Sequence, residues 1–423
     1  MSRGRYFIIG VFILGLPCPV ALRADECTPP SSGPDAIAAD LWGGQYWGTL
    51  GGISAYSHAS DVLNKGDAPL PWNGQVGIAQ NLYRLKSDRF EQIGMSWVKV
   101  VSAISSDSTY CTCTPTGGPS LGVGCSDVYQ GTTNGSQVAL GPRSTVNAFS
   151  GTIPTLGGTG ANLLERRIQV PLIDLDPALN AGAIYVAELQ LLSPSDTAAG
   201  NSLNNSSYQR RTIFFHPEAG GWLLAPDGET VAKQPAIFEW AVVDPSVEIS
   251  ILDVPQEGRF YVASRVFDHG DDTWRYEFAI FNFNSHRSAR SFSVPVPAGI
   301  TITDIGFRDI AYHSGEPYDG TDWVGVHENG AVTWSTESFA VNENANALRW
   351  GTLYNFRFDA DAPPGSTVAT MGLFRPGAPD AMTLVIDGPV VIVPTLSAGG
   401  LLLMDGLFAA AGWWVLRKAG RHA

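Results

Sequence analysis

Apolar and polar positions alternate most clearly between residues 258 and 377. Trp274, Tyr276, Phe278 and Ile280 alternate with Arg275, Glu277 and Ala279. A period of two puts the large apolar side chains on one face, the pattern of a half-buried antiparallel strand. Phe260–Phe267 reads as the strand before it, with Asp268-His269-Gly270-Asp271-Asp272 as the turn. Further strands are predicted at Ser291–Val296, Thr301–Phe307, Ala331–Ser335, Leu348–Phe358 and Val368–Phe374. Upstream, strand patterns recur at Gly51–Tyr56, Asn81–Leu85, Arg89–Trp97, Arg167–Leu175 and Ala183–Leu192, and the stretch Ala232–Asp244 around Trp240 is also strand-like. Thr152–Ala161 reads as a loop and Asn201–Asn205 as a polar turn. Short strands at regular spacing with turn signals between them point to a sandwich. Before residue 396 no segment keeps a helical period beyond about two turns.

The two ends follow other patterns. Arg3 and Arg5 precede an apolar run, Tyr6–Leu16, then Pro17-Cys18-Pro19 and a small residue at Ala24. This is the layout of a secretory signal peptide, with cleavage expected after Ala24. Pro17 before Cys18 spoils a lipoprotein signal. At the other end Gly399–Leu416 is almost wholly apolar and is closed by Arg417, Lys418 and Arg421. A run of about 20 such residues suffices to span a bilayer as a helix. Trp413 and Trp414 sit where an aromatic belt lies, and the basic end is expected to stay cytoplasmic. The fold class expected is therefore mainly β: antiparallel β-sandwich domain(s), with an N-terminal signal peptide and one C-terminal transmembrane helix.

The residues Val393, Pro394, Thr395, Leu396, Ser397 and Gly400, followed by the apolar run and basic end, resemble the IPTL-CTERM sorting domain, a relative of the PEP-CTERM tails. The resemblance implies recognition by an exosortase-like membrane enzyme in a Gram-negative bacterium. Ala398-Gly399 stand where that family usually has an acidic-aromatic pair. Asp405 lies inside the apolar run, at a cost of about 2.5–3.5 kcal/mol if ionised at mid-membrane. A plain C-terminal anchor is the alternative. The middle resembles a group of uncharacterised exported proteins of planctomycetes and some proteobacteria. The stretches that carry this are Gly77–Leu85, Arg89–Trp97, Leu121–Asp127, Leu140–Ser144, Trp274–Glu277, Asn282–Ser285 and Asn346–Thr352. It implies a shared architecture and no assigned chemistry.

Composition narrows the class further. Hydrophobic residues make up 44% of 423, enough for a real core, while charged residues are only 16%. The net charge of −14 argues against nucleic acid as a partner, since phosphate binding needs Lys and Arg. The mature chain keeps Cys27, Cys111, Cys113 and Cys125, an even number that implies disulfides in an exported protein. Pairing within Cys111-Thr112-Cys113 would be strained, so Cys27 is expected to join one of these and Cys125 the other. Three thiolates from Cys111, Cys113 and Cys125 holding a metal is the sharper alternative.

Candidate sites are few. His313 and Glu316, with Asp309, Asp319 and Asp322 nearby, could form a metal or acid/base site, against the plainer reading of a polar loop. Asp268, Asp271 and Asp272 could offer oxygens to Ca²⁺, or simply make a hairpin turn. Asp359 and Asp361 read as a strand end. No cofactor is required. Trp42, Tyr46, Trp47 and Trp72 form an early aromatic group; Trp42 and Trp47 are the candidates for stacking on a sugar, against core packing. No Gly-x-Ser-x-Gly elbow is set between a strand and a helix, and no catalytic residue is named.

The layout expected is a signal peptide at 1–24, a β-rich region with disulfides at 25–250, a β-sandwich at 251–380, a linker at 381–392 and a sorting tail at 393–423. The function expected is that of an exported, envelope-sorted protein with a structural or surface-interaction role and the membrane as a partner. A module binding extracellular polysaccharide and a secreted hydrolase are the alternatives.

Overall fold

The computed structural model describes residues 27–102, 104–157 and 160–391. The expected signal peptide and the sorting residues Val393, Pro394, Thr395, Leu396, Ser397 and Gly400 lie outside the described residues. Among the described residues no helix is long and apolar enough to cross a membrane.

The protein is mainly β, and among the described residues all pairings between its strands are antiparallel. The first half centres on a ten-stranded sheet. Its main path runs from Gly221–Val231 through Ser206–His216, Ile184–Leu192, Gly77–Lys86, Arg89–Met95, Ile168–Pro171 and Ile53–His58 to Gly44–Leu50. The sheet curls until its two ends meet, as the accumulated twist of many strands allows. Tyr56 donates its hydroxyl hydrogen to the Trp222 carbonyl at 2.6 Å. At Gly44 a side chain would collide with the backbone, because a Cβ there would lie 2.7 Å from the Leu224 carbonyl oxygen. A three-stranded sheet, Ala36–Asp40, Ser60–Asn64 and Ser126–Tyr129, packs against this large sheet. The two share a core that includes Ala38, Val62, Leu82, Ile93, Val170 and Leu189.

The second half holds two five-stranded sheets. One orders Glu248–Asp253, Arg259–Asp268, Trp274–Asn282, Leu353–Ala360 and Ile302–Arg308. The other orders Val324–Glu328, Ala331–Ser335, Ala289–Pro295, Pro364–Leu373 and Ala381–Pro389. Val262, Phe278 and Phe356 from the first meet Phe292, Trp334 and Met371 from the second in one core. Phe278 and Phe292 pack edge to face with centroids 5.4 Å apart, a geometry that adds to the area they bury.

Four expectations need correction. The strand Trp274–Asn282 is buried on both faces rather than one. Tyr276, Phe278 and Ile280 face the inter-sheet core, while Ala279 and Phe281 pack against Tyr83, Phe90 and Val186 of the large sheet. The stretch Ala232–Asp244 carries a short helix, Phe238–Val243, which seats the buried Trp240 in that second layer. Within Arg167–Leu175 the strand ends at Pro171, and Leu172–Leu175 makes one helical turn. The segment expected as a linker, 381–392, begins with the strand Ala381–Pro389, paired along its length with Pro364–Leu373.

Candidate functional site

The four cysteines form two disulfides, Cys27–Cys111 and Cys113–Cys125. The alternative of a thiolate-bound metal is thereby excluded, since all four sulfurs are bonded. The bridges tie the start of the chain to the loop before Ser126–Tyr129 and close that loop on itself. Among the described residues no three His, Cys, Asp or Glu side chains gather as a metal would need. Asp268, Asp271 and Asp272 lie in a hairpin turn: Asp268 accepts from the Gly270 amide at 2.7 Å, and Asp271 from the Thr273 hydroxyl at 2.5 Å. Asp359 pairs with Arg275 at 2.8 Å, and Asp361 accepts from the Thr301 amide at 2.7 Å.

The early aromatic group divides. Trp72 is fully buried. Trp47 donates its indole N–H to Ser57 at 2.8 Å, and the Arg167 guanidinium lies over its ring at 3.5 Å, covering one face. Trp42 donates to one oxygen of Asp61 and Tyr110 to the other, each at 2.7 Å. Burial, with Asp40 and Asp107 adding repulsion, pushes the Asp61 carboxyl up to about 6 against those two hydrogen bonds.

His313 and Glu316 are joined in one structural device. Their loop comes from the second half and enters the first. The His313 ring is buried, with Nε2 2.7 Å from the Arg167 carbonyl oxygen and Nδ1 2.8 Å from that of Ser314. Burial lowers its pKa to about 4, against the two carbonyl oxygens, which favour the charged ring. Glu316 accepts from the Arg143 amide at 2.6 Å and the Ser144 amide at 3.1 Å. Gln169 and Ser314 exchange hydrogen bonds beside them. Gly315 has φ +89 and passes so close to Trp97 that a Cβ would lie 2.4 Å from its ring. A residue with a side chain would meet both strain and collision there.

Arg143 continues this seam. Its guanidinium is buried and donates to the carbonyls of Ser96, Gly351 and Gln80 and to Asn81 Oδ1, at 2.7 to 3.0 Å. Desolvation lowers its pKa to about 10, which leaves it charged at neutral pH. Gln92 donates to Gly351 and accepts from Leu353, and Asn355 donates to the Phe90 carbonyl. Buried polar groups on both sides of the seam thus satisfy one another.

Beside the seam lies a small pocket of about 50 Å³. Arg89, Glu277, Gly306, Arg308, Asn355 and Arg357 line it. A break in register between Thr303 and Gly306 opens the strand Ile302–Arg308 there. A Cβ at Gly306 would lie 2.7 Å from Arg357 Nε, so a larger residue there would push the Arg357 side chain aside. Both Glu277 oxygens are held by Arg89, at 2.6 and 3.1 Å. Arg84 holds Glu91 and Asp174 at 2.7 and 2.9 Å, while Arg275 and Arg357 share Asp304. Arg308 comes no nearer than 3.5 Å to Glu91 and 3.6 Å to Asp174. The buried Nε–H groups of Arg308 and Arg357 have no hydrogen-bond partner among the described residues. Sequence reading missed this site. Its arginines are far apart in the chain, and only the pairing of strands brings them together.

No family model matches the chain, and no curated protein matches it. Among solved structures, a serine-rich repeat adhesion glycoprotein from Streptococcus agalactiae is similar at 10% identity and a TM-score of 0.21, with 84% of this chain and 98% of that one covered. An exo-chitosanase from Amycolatopsis orientalis is similar at 7% identity and a TM-score of 0.16, with 79% of this chain covered and 25% of that one. At these scores neither likeness carries an argument.

Proposed function

We propose that this is an exported protein of the cell envelope with a structural or surface-interaction role. The observation that carries the reading is the pair of disulfides, which form and persist in oxidising compartments. The basic and apolar start of the chain, with Ala24 as the cleavage residue, supports export. The Pro394-containing motif and basic end support sorting to a membrane by an exosortase-like enzyme. The His313–Glu316 pair, the best acid/base candidate in the sequence, serves to dock one half of the molecule on the other, which weighs against the hydrolase alternative.

The test is the intact mass and terminal peptides of the protein recovered from its own host. An N-terminus at Asp25, four oxidised cysteines and a C-terminus near Pro394 are expected. An N-terminus at Met1 with free thiols would overturn the reading. An intact tail would remove the sorting enzyme and leave a plain anchor.

A further inference from the structure

The pocket beside the seam points to a ligand. We propose that it is a binding site for one oxyanion group, a carboxylate or a sulfate, carried either by a free small anion or by a charged sugar of the extracellular matrix. The inference rests on the surface-interaction reading and deepens it. Three guanidinium groups, Arg89, Arg308 and Arg357, face the pocket, with Glu277 as its one carboxylate. Glu277 is held at both oxygens by Arg89, so it does not answer the other two. Among the described residues Arg357 donates one hydrogen bond, to Asp304 at 3.2 Å. Arg308 donates none among the described residues, and its contacts to Glu91 and Asp174, at 3.5 and 3.6 Å, are too long to be hydrogen bonds. A planar guanidinium offers five N–H donors in a fork that matches a carboxylate or sulfate edge. The Nε–H groups of Arg308 and Arg357 are buried and unpaired among the described residues, so both guanidiniums are under-bonded, and their remaining N–H donors are the ones a ligand in the pocket would meet.

Size and charge narrow the ligand. A volume of about 50 Å³ suits a single small group. Around the pocket, Arg84, Arg89, Arg275, Arg308 and Arg357 are matched in number by Glu91, Asp174, Glu277, Asp304 and Asp359. The chain as a whole carries −14. Long-range attraction of a polyanion is therefore absent, and selection rests on the short-range donors. The site takes one charged group on an otherwise uncharged or small molecule.

The test is calorimetric titration of the mature protein with sodium sulfate, sodium D-glucuronate and polygalacturonate, at ionic strength held constant with sodium chloride. Saturable binding of sulfate or glucuronate, one per chain, is expected. It should weaken about tenfold or more in Arg308→Gln and in Arg357→Gln. Both side chains are about a third exposed, at 36% and 30%, so folding should survive, and the melting curve checks this. Arg308→Lys, which keeps the charge and loses the fork, should also weaken binding, while Arg259→Gln, remote in its pair with Asp253, should not. Glucuronate binding more tightly than sulfate would assign the group to a sugar, and the reverse to a free anion. No saturable heat with any probe, binding to polygalacturonate alone, or equal affinity in the variants would overturn the proposal and leave the pocket to water. None of these failures would touch the export reading, which stands on the terminal peptides and oxidised cysteines.

Discussion

Arg143 holds more of the molecule together than its place in a short turn suggests. Four acceptors from three separate segments converge on its guanidinium, and three of them are backbone carbonyls, that of Gln80 within the strand Gly77–Lys86. Arg143→Ala would take the guanidinium from the Ser96 carbonyl, while Gln80, Gly351 and Asn81 Oδ1 would keep the Ser96 amide and Gln92 as donors. We expect a loss of about 1–3 kcal/mol, read as a lower urea midpoint; no change in the midpoint would mean that water replaces the side chain. A second residue sets a pH dependence. Asp196 accepts from the Ala36 amide at 3.0 Å and from Asn205 at 2.8 Å, yet burial, with Asp35 adding repulsion, pushes its carboxyl up to about 7. The folded state therefore holds this proton more tightly than the unfolded chain. The stability this gives is complete below about pH 4 and is lost as pH rises to about 7. Asp196→Asn should flatten that fall and make the protein roughly 2–4 kcal/mol more stable at pH 8. Asn205 can turn its amide to meet the new one, since its own Oδ1 is unpaired among the described residues. Equal slopes of stability against pH in the two proteins would refute the assignment.

At the scale of elements, the loop His313–Glu316 is where sequence reading weighs a metal or acid/base site against the plainer polar loop and lacks the partners that decide between them. A histidine and a carboxylate three apart look the same whether they face solvent or a neighbouring sheet. Only the tertiary partners Arg143, Ser144, Arg167 and Gln169 decide it, and they lie about 145 to 175 positions away. Glu316→Ala should leave two amides unpaired at a cost of about 1–3 kcal/mol. The Arg143 and Ser144 amides should then exchange hydrogen about tenfold faster. Glu316→Gln, which keeps one acceptor, should be milder; unchanged exchange in the alanine variant would show that the loop does not dock through this carboxylate. Strands with clean alternation were legible for the same reason that this loop was not: a period of two is local information. Ala331–Ser335 matches its strand end for end, and Ser291–Val296 and Thr301–Phe307 match theirs within two residues. The helix Phe238–Val243 was hidden because six residues are too few to show a helical period. The strand Ala381–Pro389 was hidden because its apolar positions give way to Thr, Gly and Asp at a sheet edge.

For the whole molecule, the question is whether the two halves unfold together. The seam between them is not a surface of occasional contacts. Tyr83, Phe90 and Val186 of the large sheet share one core with Tyr261, Phe281 and Phe283 of the second half. Met95 reaches into the inter-sheet core beyond. Arg143, the His313–Glu316 loop, Gln92, Asn355 and the Arg89–Glu277 pair cross the same boundary. Opening it would expose buried aromatics and strand both partners of each polar contact, so the halves should melt as one. The disulfides offer a way to read this, because both lie in the first half. Reduction should relax the unfolded chain and cost about 2–4 kcal/mol. If the halves are coupled, calorimetry will show one transition before reduction and one after it, moved to lower temperature, with tryptophan fluorescence and far-ultraviolet circular dichroism tracking together. If they are independent, reduction will move only one of two transitions. The second half, with Trp323 and Trp334 in its core, will then keep its own melting temperature.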